Sequence, residues 1–366
     1  MTLKVGALLL VAVMGVAAVV WLLIAPESVE AIAEKWEGST HANDESLAFT
    51  FWSEQGLSEV PERCAKCHST TGFRDFLGED GTAAGTVDQT AETGTLVYCS
   101  ACHNPSAHAM TEVGFPSGID IGGLDVSAVC MQCHQGRRAG DDVRQMIGDV
   151  DPDATSPELV FVNVHYYIAA STWLGTEAKV GYEYPDRSYV SRFEHVPDVQ
   201  TCVECHDPHS QRVAPERCSP CHVTVAEPGD LRTIRTSDVD YDGDGNVEEG
   251  LAGEIETMQE RLYGAMQAYA EEETTALVYV GRDPFFFIDS DGDGEPDEQE
   301  LNDRNVYRTW TPRLVRAAYN YHFSLQDPGN YTHNGRYVLQ LLYDSLDDLG
   351  ERVAVDTERL VRPPSE

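Results

Sequence analysis

The chain of 366 residues carries 25 basic and 62 acidic side chains, which gives it a formal net charge of −37. So negative a surface argues against nucleic acid and anionic lipid surfaces as partners, because both would repel it. Solubility alone explains an acidic surface, while adaptation to high salt and attraction of a basic partner protein remain open as functional interpretations.

An uninterrupted apolar run, Val5–Ala25, follows Lys4 near the N-terminus. Its 21 residues suffice to span a bilayer as a helix, and they exceed the apolar core of a signal peptide, about 7–15 residues long. Because Ala31-Ile32-Ala33 is a small-residue cleavage pattern, residues 1–33 form either a retained transmembrane anchor, which the length favours, or a cleaved signal. Both interpretations place the rest of the chain outside the cytoplasm, in the periplasm or at the cell surface.

Five copies of Cys-x-x-Cys-His lie within residues 64–222, and they contain all 10 cysteines of the chain. The cysteines are Cys64, Cys67, Cys99, Cys102, Cys130, Cys133, Cys202, Cys205, Cys218 and Cys221, and the histidines are His68, His103, His134, His206 and His222. Two thiols three residues apart lie on one face of a helical turn, where both can bond to one porphyrin while the adjacent imidazole binds its iron. Structural zinc gives no role to a histidine after every second cysteine, so the motifs predict five covalently attached c-type haems.

The spacing of the motifs predicts how residues 34–222 form a haem-binding domain. Five motifs share the 159 positions of residues 64–222, too few to bury an ordinary side-chain core around each cofactor, so the porphyrins are expected to form much of that core. The last two motifs begin 16 residues apart, which predicts neighbouring haems. The longest interval contains the apolar run Leu159–Ile168 and the segment Tyr182–Tyr189, which predicts a small hairpin or a turn.

Seven further histidines lie outside the motifs and can supply the second axial ligand of an iron. The distal candidates are His209, His195, His165, His41 and His333, with His108 and His322 in reserve. His209 follows a stiff Asp-Pro turn, and His165 lies within the run Leu159–Ile168, which is aromatic as well as apolar. Because no motif is altered and imidazoles are plentiful, the sequence favours closed irons and an electron carrier without enzymatic activity.

Residues 223–366 contain no cysteine and are predicted to form a helical C-terminal lobe. Apolar residues recur at spacings of three and four from Leu251 to Met266, which predicts an amphipathic helix. A second helix is predicted to start at Thr311-Pro312, an N-cap followed by proline, and a third to run over Tyr337–Leu349 and end at Gly350.

Two acidic loops in this lobe have the spacing of a calcium-binding loop. The 12 residues from Asp289 to Glu300 carry acids at the ligand positions and Gly294 at the sharp turn, although Phe285–Ile288 before them predicts a strand rather than a helix. The candidate ligands are Asp289, Asp291, Asp293, Glu295, Asp297 and Glu300, and, in an earlier and weaker loop, Asp240, Asp242, Asp244 and Asn246. The earlier loop has Leu251 at its last ligand position, so its final carboxylate would come from Glu248, Glu249 or Glu254. Bound Ca²⁺ is predicted to stabilise the lobe.

Over residues 41–222 the chain resembles the multihaem c-type cytochromes of bacterial and archaeal respiration. The similarity rests on the doubled motif that runs from Cys202 through His209 to Cys218–His222, and on His165 and His195 before it. It implies bis-histidine haems stacked in a chain. We therefore expect a mainly α protein with much irregular structure, in which a multihaem cytochrome c array is joined to a helical lobe with calcium-type loops.

The expected function is electron transfer in respiration or to extracellular acceptors. The expected partners are redox proteins, including a membrane quinol-linked donor or an extracellular acceptor, and the membrane itself through the N-terminal segment. Two alternatives stay open: a reductase of a nitrogen or sulfur oxyanion with one open haem iron, and a subunit of a polymeric cytochrome filament in which His41 ligates the haem of the next subunit.

Overall fold

A computed structural model describes residues 27–197 and 199–365. The apolar run Val5–Ala25, predicted as an anchor, lies outside these residues. Among the described helices, none combines the length and the apolar character needed to cross a membrane. The chain is mainly helical with long irregular connections, as the sequence predicts.

Short helices and irregular connections make up the part of the chain that carries the motifs. The helices are α1 (Val29–Glu37), α2 (Leu47–Glu54), α3 (Glu62–His68), α4 (Thr70–Phe76), α5 (Cys99–Cys102), α6 (Pro105–Ala109), α7 (Ser127–Met131), α8 (Gly140–Ile147), α9 (Ala169–Leu174), α10 (Cys202–Cys205) and α11 (Pro215–Cys218), with 3₁₀ turns at Thr40–Ala42, Gly175–Glu177 and Pro228–Thr233. Two antiparallel ladders accompany them, β1 (Glu59–Val60) with β2 (Ala91–Glu92) and β3 (Glu112–Gly114) with β4 (Asp120–Gly122). The segment Tyr182–Tyr189 forms a turn, closed by the Tyr184 amide, which donates to the Tyr189 hydroxyl at 2.9 Å.

Three long helices and a two-stranded ladder form the C-terminal part. They are α12 (Leu251–Glu273), β5 (Leu277–Tyr279), β6 (Phe286–Ile288), α13 (Pro312–Leu325) and α14 (Asn330–Leu349). As predicted, Thr311 caps α13 by accepting a hydrogen bond from the Leu314 amide at 3.2 Å, and α14 ends at Gly350. Helix α14 begins before the predicted Tyr337, because one additional turn precedes a kink at Asn334 (φ −166°, ψ 71°).

The described residues divide into two compact units. The first comprises residues 27–101 together with His206–Arg212, and the second comprises Cys102–Cys205 and the described residues from Val213 onward. These units do not divide at the predicted boundary between residues 222 and 223. The helical C-terminal segment shares a unit with residues 102–205 because the two segments share one apolar core.

That shared core provides the scaffold for the motifs of the second unit. Fully buried side chains of α12, α13 and α14, such as Met266, Leu314 and Leu342, belong to the same cluster as Val164 and Ile168 from the predicted aromatic run. Burying each such side chain contributes about 1.5–3 kcal/mol. The second unit therefore has an ordinary side-chain core, which the motif spacing alone did not predict. The first unit has a smaller one, made of Trp52, Val60, Ala65 and Ala91.

Candidate haem and metal sites

Every Cys-x-x-Cys pair lies on a helical turn. Helices α3, α5 and α10 contain both cysteines of their motif, whereas α7 and α11 end within theirs. In these two motifs a turn completes the pair, because the Cys133 amide donates to the Cys130 carbonyl at 3.2 Å and the Cys221 amide to the Cys218 carbonyl at 3.1 Å. The backbone therefore places two thiols one helical turn apart in each motif, as thioether attachment to one porphyrin requires.

Three of the motif histidines have their ring orientation fixed by a backbone carbonyl. The Nδ1 atom lies 2.7 Å from the Ala48 carbonyl in His68, 3.1 Å from that of Tyr167 in His134, and 3.0 Å from that of Gln211 in His206. A carbonyl oxygen accepts and cannot donate, so Nδ1 carries the proton and Nε2 carries the lone pair. This tautomer is the one that ligates iron through Nε2, and its hydrogen-bonded partner raises the basicity of the ligand.

Two motif histidines lie opposite a second histidine within the second unit. The ring centroids of His103 and His108 are 5.8 Å apart, and those of His195 and His222 are 6.0 Å apart. Two imidazoles that bind one metal with bonds of about 2 Å have centroids about 6 Å apart. Burial and the neighbouring His222 lower the pKa of His195, which favours the neutral, ligating form. These pairs fit the two axial ligands of a haem iron, and they include His108, which the sequence placed in reserve.

His333 occupies the first turn of α14, where a buried carboxylate orients it. Its Nδ1 lies 2.9 and 2.8 Å from the two carboxylate oxygens of Asp327, which is 2% exposed. Burial opposes protonation of the ring, but the Asp327 carboxylate raises the pKa of His333, as would a thiolate at Cys202. His333 thus lies close to a motif cysteine, and ligation of iron would use Nε2. No sequence pattern singles out Asp327.

The reserve candidate His322 belongs to the core of the lobe. Its Nδ1 is 3.0 Å from the Tyr279 hydroxyl and its Nε2 is 2.9 Å from the side-chain oxygen of Asn163. Burial lowers its pKa to about 3, so the ring is neutral. Both ring nitrogens make side-chain hydrogen bonds, and ligation of iron would break one of them.

The remaining candidates lie in a 3₁₀ turn, a turn and an irregular segment. His41 is in the 3₁₀ turn Thr40–Ala42, and its carbonyl accepts from the Val97 amide at 3.3 Å. The amide of His209 donates to the Asp207 carboxylate at 3.1 Å, so the predicted Asp-Pro turn is closed by its own aspartate. His165 has a positive φ of 89° and lines a cavity of about 410 Å³ together with Arg137 and Arg138.

Attachment residues from different motifs come together in the second unit. The Cys130 and Cys202 thiols share a hydrogen bond, which lowers the pKa of Cys202 and raises that of Cys130, and the Cys202 amide donates to the Ser127 hydroxyl at 3.1 Å. Arg217, which precedes the last motif, donates to the Val203 carbonyl at 2.7 Å. The fourth motif therefore neighbours the fifth, as the short spacing predicts, and also the third, which the spacing did not predict.

Both predicted calcium loops gather carboxylates. The carboxylate oxygens of Asp289, Asp291 and Glu300 lie within 4.8 Å of one another, and Asp289 accepts from the amides of Gly292 and Gly294 at 2.7 and 3.0 Å. The side chains of Asp293, Glu295 and Asp297, also predicted as ligands, are not part of that group. Asp297 instead accepts from the amides of Gln299 and Glu300 at 2.7 and 3.0 Å.

The earlier loop gathers carboxylates from beyond its own 12 positions. Asp240 and Asp242 group with Glu254 from the first turn of α12, and Asp242 and Asp244 group with Glu249. Asn246, also predicted as a ligand, has its side-chain oxygen 3.2 Å from the Glu248 amide. Burial raises the pKa of Asp242 to about 6, and burial with the neighbouring acids raises that of Glu249 to about 7.

Sequence reasoning missed a third acidic group in the first unit. Its members are Asp75, Asp80 and Asp88. The buried Asp75 carboxylate accepts from the amides of Asp88 and Gln89 at 3.0 and 3.1 Å, so it is satisfied by its own loop. The wide and irregular spacing of these acids matches no metal-loop pattern.

Helical Cys-x-x-Cys turns, motif imidazoles oriented by backbone carbonyls and close pairs of histidine rings are the arrangement expected of a protein with several covalently attached haems. Residues 49–135 match the family described as cytochrome c7 and related cytochrome c. The chain is 28% identical over 356 residues to the C-type polyheme cytochrome OmcC of Geobacter sulfurreducens, an alignment that covers 81% of this chain and 44% of that protein. It is 27% identical over 345 residues to the C-type polyheme cytochrome OmcB of the same species, covering 78% and 43%. The chain is a multihaem c-type cytochrome.

The chain spans less than half the length of these curated relatives. No solved structure gives a significant match.

Proposed function

We propose that this cytochrome is an exported electron carrier that passes electrons along five c-type haems, each held between two histidines. The observation that carries the proposal is the opposition of motif and non-motif imidazoles, at 5.8 Å for His103 and His108 and 6.0 Å for His195 and His222. Each haem supplies a reversible one-electron iron couple. Imidazoles on both faces of an iron leave no position for a substrate, so the residues around it support electron exchange rather than catalysis.

The proposed ligand set follows from the same geometry. Cys-x-x-Cys-His supplies the thioethers and the proximal imidazole of each haem. His108 serves the haem of His103, and His195 serves the haem of His222. The other three irons take their distal ligands from His333, near Cys202, and from the remaining candidates His165, His209 and His41.

The close approach of the attachment residues supports transfer from haem to haem. Cys202 contacts Cys130, and Arg217 bonds the turn that contains Cys205. The third, fourth and fifth attachment turns are therefore consecutive neighbours in the second unit. We propose that this order gives electrons a continuous route between them.

We further propose that the protein works outside the cytoplasm with redox proteins as partners. Support comes from the apolar run Val5–Ala25, which would anchor or export the chain, and from covalent haem attachment, which takes place on the exported side of the membrane. A membrane quinol-linked donor or an extracellular acceptor fits this position. The net charge of −37 favours a partner with a basic surface.

The second acidic loop is proposed to bind Ca²⁺ as a structural ion. Asp289, Asp291 and the nearly buried Glu300, 3% exposed, converge on one point, and oxygen ligands from several carboxylates are what Ca²⁺ prefers. The positive φ values of Gly292 and Gly294, 78° and 80°, permit the tight turn that this convergence needs.

The test is a haem count and a spin-state analysis of the purified haem-loaded protein. We expect the mass of five attached haems and a low-spin electron paramagnetic resonance spectrum that carbon monoxide does not alter in the reduced protein. The variant His195→Ala should convert one haem in five to a high-spin, carbon monoxide-binding form. The matched variant His322→Ala should leave every haem low-spin, because this ring serves the core. A wild-type haem that binds carbon monoxide would overturn the closed-carrier proposal and indicate an open iron.

A further inference from the structure

We propose that Asp240, Asp242 and Glu254 form a second binding site for a divalent cation of the calcium type, which fastens the C-terminal segment to the start of α12. The proposal concerns residues that the electron-carrier function does not use, and it stands independently of that function. Its ligand set differs from the 12-residue pattern, because the final carboxylate comes from the helix that follows the loop.

One carboxylate oxygen of this loop is buried and lacks a hydrogen-bond partner among the described residues. Asp242 is fully buried, and its Oδ1 accepts from the Asp244 amide at 3.0 Å. Its Oδ2 has no hydrogen-bond partner in the described part of the chain, and neither has Oε1 of Glu249 beside it. A buried carboxylate oxygen without a partner costs free energy of folding. A cation that Oδ2 of Asp242 and Oε1 of Glu249 both bind removes that cost.

The charge balance around Asp242 also favours a bound cation. Glu254 is also fully buried, and its Oε2 accepts from the amides of Tyr241 and Asp242 at 2.7 and 2.9 Å. Its other oxygen faces the Arg235 guanidinium at 2.5 Å. This arginine can neutralise one acid, whereas Asp240, Asp242 and Glu254 converge within 4.8 Å and further acids adjoin them. Acids brought together in low dielectric require a further positive charge.

The chemistry of the donors indicates the class of ion. All the converging atoms are carboxylate oxygens, and no thiol or imidazole joins the described groups at this loop. Hard cations such as Ca²⁺ bind such sets with six to eight oxygens, whereas zinc and copper prefer nitrogen and sulfur. An irregular loop, with Gly243 and Gly245 at positive φ values of 73° and 92°, suits the variable coordination of Ca²⁺ better than the strict octahedron of Mg²⁺.

The loop also touches the C-terminal segment, which gives the ion a structural role. The Val361 amide donates to the Tyr241 carbonyl at 2.9 Å, and a Cβ atom on Gly243 would lie 2.6 Å from the Cβ of Arg359. Residues 359–361 therefore pack directly on the loop that Glu254 closes. Binding of the ion should order the loop, the first turn of α12 and this segment together.

The experiment uses the full haem-loaded protein, freed of metal with a chelator, and Ca²⁺ itself as the probe. In the background Glu300→Gln, which disables the other loop, isothermal titration should still detect one bound Ca²⁺ per chain. Hydrogen exchange should slow at the amides of residues 240–254 and at Val361 when Ca²⁺ is added. Mg²⁺ at the same concentration should have a smaller effect.

The decisive variant adds Asp242→Asn to that background. We expect at least a tenfold loss of Ca²⁺ affinity and no calcium-dependent protection at Val361, with an unchanged haem spectrum as evidence that the protein is folded. If the Glu300→Gln protein binds no Ca²⁺, that result alone contradicts the proposal, and the second variant is not needed. Neither result bears on haem ligation, so failure here and failure of the electron-carrier proposal are distinguishable.

Discussion

At the scale of single residues, Asp327 is the side chain from which we expect the clearest redox effect. It lies at the end of α13 and is hydrogen-bonded to Nδ1 of His333 through both carboxylate oxygens, at 2.9 and 2.8 Å. A carboxylate on the outer nitrogen makes an imidazole a stronger donor, which stabilises the oxidised iron and lowers its reduction potential.

We therefore predict that Asp327→Asn raises the potential of one haem. A tenfold change in the oxidised-to-reduced equilibrium corresponds to about 59 mV for one electron, and we expect a rise of that order. A potentiometric titration of wild type and variant measures it. The matched control is Asp344→Asn, which removes an equally buried carboxylate that pairs with Arg362 at 2.8 Å. Unchanged potentials in both variants would show that Asp327 does not act on a ligated imidazole.

The histidines illustrate what residue-level reasoning could and could not predict. The pentapeptide spacing predicts the attachment cysteines and proximal histidines without knowledge of the fold, and these assignments stay a prediction. The sequence alone does not rank the distal candidates reliably, because the approach of one histidine ring to another depends on the tertiary fold. His108 and His322 had equal standing in the sequence, yet one lies opposite His103 and the other is hydrogen-bonded within the core.

At the scale of elements, the turn Tyr182–Tyr189 is connected to α14 through a partly buried glutamate. The Glu183 carboxylate accepts from the Thr176 hydroxyl at 3.0 Å and from the Tyr337 hydroxyl at 3.1 Å. Burial raises its pKa above the ordinary 4.5, although both hydrogen bonds, Lys179 and Arg144 oppose the shift. The folded chain therefore holds this proton at pH values where the unfolded chain has released it.

The consequence for stability follows from proton linkage. Below pH 4.5 both states are protonated and the shift has no effect, whereas above it the wild type loses stability until the folded-state pKa is passed. Glu183→Gln removes this titration, so the variant should gain stability relative to wild type as the pH rises from about 4.5 towards neutrality. Denaturant unfolding of both proteins across this range measures the difference. A constant difference at all pH values would contradict the prediction.

The sequence predicted those helix and strand boundaries that neighbouring residues determine. The Thr311-Pro312 cap, the stop at Gly350 and the strand before Asp289 are each set by neighbouring residues, and each is present. The extra turn of α14 before the kink at Asn334 was not predicted. The Asn334 side chain donates to the carbonyls of Trp173 and Ser191 at 3.3 and 3.0 Å, contacts that no local pattern contains.

At the scale of the whole molecule, the division into units depends on contacts between distant segments. The side chain of Asn320 on α13 accepts from the Tyr182 amide at 2.9 Å and donates to the Tyr182 carbonyl at 3.0 Å. The Tyr319 hydroxyl donates to the Val180 carbonyl at 2.7 Å. These bonds attach the interval between the third and fourth motifs to the C-terminal helices. The sequence division at residue 222 followed the distribution of cysteines, and that distribution carries no information about such contacts.

The net charge provides a prediction for the molecule as a whole. With −37 formal charges, the protein should attract a basic partner at long range and accelerate its encounter. The Debye length falls from about 10 Å at 0.1 M salt to about 3 Å at 1 M, so the attraction should weaken steeply over this range. We expect the second-order rate of electron transfer to a basic monohaem cytochrome to fall at least tenfold between about 0.05 and 1 M salt. Stopped-flow absorbance measures this rate.

An acidic acceptor of similar potential is the matched control, because repulsion should make its rate rise with salt over the same range. Opposite salt dependences for the two acceptors would assign the acidic surface to partner attraction. A rate to the basic acceptor that does not depend on salt would contradict electrostatic steering. The negative charge would then affect the stability of the protein rather than its encounter with partners, as adaptation to high salt requires. In that case the free energy of unfolding should increase as salt screens the repulsion between acids.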